Sequence, residues 1–157
     1  MSRFASNTSV TSSASRNEIE RTLTRYGADQ FIYGWQDDKA IVGFRMQGRQ
    51  IKFVLVMPDR AAREFTHTPN RSVQRSDDAI VAAYEKAVRQ RWRALALVIK
   101  AKLEAVESGI TVFDDEFLAH IVLPDGQTVG AAIKQQIAHA YQTGNMPPLL
   151  PDYGRDK

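Results

Sequence analysis

The sequence predicts an α+β domain: a three-stranded antiparallel meander covered by a long amphipathic helix, with a small C-terminal hairpin and helix. Three observations predict it. "QFIYGWQ", "KAIVGFRM" and "QIKFVLVM" are runs of aromatic and β-branched residues, parted only by Asp37-Asp38 and by Gln47-Gly48-Arg49. Within each run apolar side chains alternate with small or charged ones, the period of a sheet with one covered face. Beyond Ser76, Ile80, Tyr84, Val88, Trp92, Leu95, Ile99, Leu103 and Val106 recur in steps of three and four, the period of a helix that supplies the cover.

Residues 1–16, "MSRFASNTSVTSSASR", are small, hydroxylated and free of acids. Such a composition buries too little surface to offset chain entropy, so a disordered tail is expected. An organellar transit peptide shares this composition. "NEIERTLTRY", residues 17–26, offers an N-cap at Asn17, acids in its first turn and a stop at Gly27, which predicts a short helix. A slip of one residue in a sheet inverts every side chain, and two-residue turns at Asp37-Asp38 and Gln47-Gly48 keep the apolar set together. That register places Phe31, Tyr33, Trp35, Ala40, Val42, Phe44, Ile51, Phe53 and Leu55 on the core face. The opposite face takes Ile32, Ile41, Val54 and Val56 beside Gly34 and Gly43, with Lys39, Arg45 and Lys52 among them.

Residues 58–76 contain two prolines, four arginines and no clean period, and are expected to form a long loop. Ser76 caps a helix over 77–108 with Asp77 and Asp78 in its first turn. "TVFDDEFLAHIVLPDGQTV" suggests a short helix or turn over Asp114 to Ala119, then a hairpin through Pro124-Asp125-Gly126. "GAAIKQQIAHAY" is a last helix whose Ile133, Ile137 and Tyr141 form a docking stripe. A proline-rich tail, residues 145–157, follows. The folded unit is therefore a single domain over 17–144, which suits a chain of 157 residues with 43% hydrophobic content.

The net charge of +3 conceals an uneven distribution. Residues 39–75 carry eight Lys or Arg against Asp59 and Glu64, whereas residues 109–157 carry three against six acids. A basic half attracts polyanions. At 100° per residue Lys86, Arg89, Arg93 and Lys100 fall on one face of the long helix, nearly opposite its apolar stripe. No acid of the helix reaches most of that ridge: Glu85 lies well round the helix, and Glu104 can pair with Lys100 but not with Arg89 or Arg93. Arg91 and Lys102 lie at the edge of the apolar face, where their stems pack and their heads reach solvent.

Cysteine is absent, which excludes disulfides, thiolate zinc sites and cysteine nucleophiles together. No Walker loop, GxGxxG, GxSxG or HExxH occurs. The most enzyme-like group is Asp114, Asp115, Glu116 and His120, since Glu116 and His120 share a helical face and could bind a metal. Acids in a first turn are ordinary dipole partners, and a histidine beside "IVLP" is ordinarily packed. The expectation is a binding protein with no enzymatic activity, no cofactor and no metal.

The blocks "RYGADQFIYGWQDDKAIVGFRMQGRQIKFVL", "RQRWRALALVIKAKLEAVESGI" and "FDDEFLAHIVLPDGQTV" resemble a family of small conserved bacteriophage and prophage proteins of unassigned function. The resemblance covers roughly residues 17–150. It implies a phage or prophage origin and the cytoplasm of a bacterial host, against the transit-peptide reading, and it carries over no functional residue. The order of three antiparallel strands and a long helix is also similar to the core of single-strand annealing proteins, an analogy of architecture alone.

Two readings follow. The first is a non-catalytic nucleic-acid-binding accessory of phage replication or recombination, contacting DNA, including single strands, through phosphates. Its contacts would be Arg45, Arg49 and Lys52 on the sheet, Arg60, Arg63, Arg71 and Arg75 in the loop, and Lys86, Arg89, Arg93 and Lys100 on the helix. The second is a phage protein-interaction module, an inhibitor of a host system or an assembly component, which binds no nucleic acid and uses the sheet face or the C-terminal tail. Neither involves a membrane, and a homo-oligomer is compatible with both.

Overall fold

The computed structural model describes residues 12–150, 152 and 154. Its elements run in the order α1 (Ser13–Arg25), β1 (Gln30–Gln36), β2 (Lys39–Met46), β3 (Arg49–Val56), α2 (Arg63–Thr66), α3 (Asp77–Glu107), α4 (Phe113–Glu116), a 3₁₀ turn (Leu118–His120) and α5 (Val129–Thr143). The architecture is the α+β arrangement expected from the periodicities.

The strands form an antiparallel sheet in chain order, β1-β2-β3. Phe31 pairs with Phe44, Tyr33 with Val42 and Trp35 with Ala40, while Phe44 pairs with Ile51 and Val42 with Phe53. This is the register set by two-residue turns. Asp37 and Gln47 take left-handed backbone with φ of 55° and 51°, and Gly48 follows at 73°. Positive φ at both central residues of Gln47-Gly48 matches the right-handed twist of its strands.

One sheet face is covered. Ala40, Val42, Phe44, Ile51 and Phe53 are buried with Ile19 and Leu23 of α1 and with Tyr84, Val88, Trp92, Leu95, Ile99 and Leu103 of α3. Trp92 is fully buried, its ring 5.5 Å from that of Tyr33. Phe113 and Phe117, four apart, stack at 4.8 Å, and Phe117 meets Phe44 and Phe53 edge-on. Ser76 caps α3 by accepting from the Ala79 amide at 3.3 Å.

Three expectations need correction. The first helix begins at Ser13 rather than at Asn17, so residues 12–16 belong to the folded body and not to the tail. Tertiary contacts outweigh capping preference there: Ser12 is fully buried and the Arg16 guanidinium lies 4.3 Å from the centre of the Tyr33 ring. The expected disorder of residues 1–11 lies outside the described residues.

Residues 58–76 are more structured than a plain loop. Phe65 on α2 is buried against Tyr84 at 5.6 Å, and His67 bridges to Gln74. The aromatic anchor, not the period, orders this stretch.

The third correction concerns α5. Thr128 accepts from the Ala131 amide, and Gly144 ends the helix in the left-handed region at φ 74°. Yet no residue of α5 is buried, Ile137 is 39% exposed and Tyr141 90%. Its expected docking stripe is open, because α5 rests on the 3₁₀ turn, with Gly130 seated against the Ala119 carbonyl. Between them Val122 bridges to Thr128 as the expected hairpin, and Ile121 bridges to Ile51 at the edge of β3. Among the described residues no helix is long and apolar enough to cross a membrane.

Candidate functional site

The thirty-one residues of α3 give a rod of roughly 46 Å, whose basic residues all lie between Lys86 and Lys102. Lys86, Arg89 and Arg93 are exposed and line one wall of a groove of about 480 Å³. The opposite wall is the start of α1, contributed by Ala14, Ser15 and Glu18, and Gln90 completes the lining. The cations are therefore not a free convex ridge. They share a concave surface with a second helix, which focuses their field.

Glu18 is the acid among the residues lining this groove. Among the described residues no carboxylate comes within 4 Å of the charged groups of Lys86, Arg89, Arg93 or Lys100. Glu104, expected to serve Lys100, instead accepts from the Tyr26 hydroxyl at 2.6 Å. That bond holds the Tyr26 proton and raises its pKa above the usual tyrosine range.

The sheet cations behave differently. Arg45 grips Asp29 with two nitrogens at 2.7 to 3.0 Å, which holds the Asp29 carboxyl below its ordinary range and raises the arginine. Arg49 pairs with Asp114 at 3.1 Å, and the Lys52 ammonium donates to the Gly126 carbonyl at 3.2 Å. Each ties the sheet to a loop or to the C-terminal segment. The 58–76 cations are spread out: Arg60 lies 5.7 Å from the Tyr84 ring centre, Arg63 and Arg71 are exposed, and the Arg75 amide donates to the Thr66 carbonyl.

Arg91 and Lys102 sit at the margin of the apolar stripe as expected. Arg91 donates to the Val56 carbonyl at 2.6 Å, and Lys102 reaches both the backbone and the side-chain oxygen of Glu116 at 3.1 Å. A smaller groove of about 300 Å³ lies on the other side of Gln90, between Pro58, Glu64 and Phe65 and the helix residues Ala87, Arg91 and Ala94.

Of the three acids and the histidine singled out for metal chemistry, Asp114, Glu116 and His120 have other partners. Asp114 is held by Arg49 and Glu116 by Lys102. The His120 ring stacks on Phe53 at 4.0 Å, where burial, with help from Lys102, lowers its pKa. Among the described residues no three His, Asp or Glu side chains gather to hold a metal ion.

The sequence reading did not include Ser15, Glu18 and Gln90 in the site. Nothing in their local pattern announces it, because the groove exists only once α1 lies beside α3. Compared with known proteins, the chain matches no family model, no curated protein and no solved structure.

Proposed function

We propose that the protein is a non-catalytic nucleic-acid-binding protein that seats a phosphate backbone in the groove between α1 and α3. The observation that carries this reading is the contrast among its cations. Arg45, Arg49 and Lys102 are paired with carboxylates, whereas Lys86, Arg89 and Arg93 share a groove without an ion pair among the described residues. Like charges three and four apart on a helix repel by a few tenths of a kcal/mol, and a polyanion reverses that sign. Recognition is of backbone rather than of bases: Tyr33, Trp35 and Phe53 sit on the covered sheet face, so among the described residues no stacking platform lines the groove beside the cations.

The wider assignment, an accessory of phage replication or recombination acting in the bacterial cytoplasm, rests on the resemblance of the quoted blocks alone. The test is titration of labelled single- and double-stranded oligonucleotides at two salt concentrations. Binding that weakens steeply with salt is the expected result, because phosphate contact releases counterions. No binding at low salt overturns the reading.

A further inference from the structure

We propose that the groove takes a single nucleic-acid strand rather than a duplex, with Leu97 as the apolar contact for its unpaired bases. The proposal rests on the nucleic-acid reading and deepens it. Leu97 lies four residues after Arg93 and three before Lys100, so the helical turn sets it on the same face of α3 as those cations. It is 60% exposed, a large apolar side chain held in water between two positive charges. A phosphate gains nothing from a leucine. An unpaired base does, because its flat face is left in water outside a duplex.

The two-helix geometry disfavours a duplex. α1 runs alongside α3 in the same direction, from Ala14 and Ser15, which line the groove with Lys86 and Arg89, to Tyr26, whose hydroxyl meets Glu104. Helices are about 10 Å across with their side chains and pack with axes about 9 Å apart, so the pair presents a front roughly 20 Å wide. The major groove of DNA is roughly 12 Å wide, so this face of α3 cannot enter it. A duplex would touch the front with its outer phosphates alone, and Leu97 would be left without a partner.

The row also has a defined length. Lys86 to Lys100 spans roughly 21 Å, and a stacked strand advances about 3.4 Å per nucleotide, so the row faces about six nucleotides. Lys86, Arg89 and Arg93 hold the first half of that length, Leu97 and Lys100 the second. Beyond them Glu104 and Glu107 close the basic stretch. Leu97 reads no base edge, so its contact is the same for every sequence.

The experiment is fluorescence anisotropy of the full chain with labelled oligothymidylate and oligouridylate of about twelve nucleotides, twice the length of the row, and with a duplex of equal length. Charge alone favours the duplex, whose phosphates are twice as dense along its axis. A strand bound about tenfold more tightly than the duplex is the expected result, and the tighter of the two strands tells DNA from RNA. Leu97→Gln is expected to lower strand affinity about five- to tenfold while the duplex affinity, the salt slope and the circular dichroism spectrum stay unchanged. Leu97→Tyr, which adds a face on which a base can stack, is expected to tighten strand binding. A duplex bound as tightly as the strand overturns the proposal and leaves the groove reading standing. So does a strand affinity that neither Leu97 variant moves. Failure of every oligonucleotide to bind at low salt removes the groove reading itself, and this proposal falls with it.

Discussion

Tyr26 and Glu104 are seventy-eight residues apart in sequence and 2.6 Å apart in space, the tyrosine hydroxyl donating to the carboxylate. The bond fastens the end of α1 to the last turns of α3. Tyr26→Phe is expected to lower the urea midpoint slightly, and Glu104→Gln likewise. In a double-mutant cycle the two losses should fall short of additive, as they do for groups that share one bond. Strict additivity would show that the contact contributes nothing to α1 docking.

The ion-pair contrast predicts the behaviour of Arg89→Ala combined with Arg93→Ala. Both residues are exposed, so the melting temperature should hardly change. Oligonucleotide affinity should fall alike for all sequences, and the slope of log K against log salt should become shallower by about one to two units. An unchanged slope would reduce these arginines to a solvated helix face.

Leu95 is 8% exposed on the covered side of α3, among Trp92, Ile99 and the sheet. Leu95→Ala should cost roughly 2 to 5 kcal/mol, the lost burial plus the cavity left behind. Denaturant unfolding measures it, with the slope of the transition unchanged if only the native state is affected.

Gln47 holds a left-handed backbone at φ 51° in the turn before β3. Asparagine tolerates that region better than glutamine and favours this type of hairpin when glycine follows. Gln47→Asn should therefore stabilise the protein by about 0.5 kcal/mol, read as a raised melting temperature. A lowered one would mean that the Gln47 side chain has a role which its exposed position does not display.

His120 gives the fold a dependence on pH. Its folded pKa lies below the ordinary value because burial, and then Lys102, disfavour the charged ring. The unfolded chain therefore binds the proton more readily, and stability rises with pH across the interval between the two values. The contribution is complete above about 6.5 and is lost as pH falls below it. Asp29 is depressed too, yet its carboxyl acts only below about 3.9, outside this window. His120→Phe should keep the ring on Phe53 and flatten the melting temperature between pH 7 and 5. A slope that survives the substitution would assign it to other groups.

Elements with a strong local period were legible in the sequence. The strand register followed from keeping Val42, Phe44 and Phe53 on one side, and α3 from its stripe and the Ser76 cap. Local pattern fails where a distant contact decides. Ser12 and Arg16 are ordered by Tyr33 and α3, and Phe65 by Tyr84, so neither stretch carries its own signal. For α5 the error ran the other way: Ile133, Ile137 and Tyr141 are periodic, but periodicity does not say that the same chain provides the partner. The basic face of α3 was readable as charge. Its concavity was not, since Glu18 and Ser15 reach it through tertiary packing alone.

The sheet whose strands follow one another in chain order also governs how the molecule comes together. Two-residue turns bring Gln36 to Lys39 and Met46 to Arg49, so the meander closes without large loops and can zip within a short length of chain. Docking α1 on α3 is the opposite case, since more than sixty residues must be brought round before their apolar faces meet. On this topology the sheet is an early event and the α1–α3 groove a late one. The groove is therefore expected to assemble after the sheet and, on partial unfolding, to open before it.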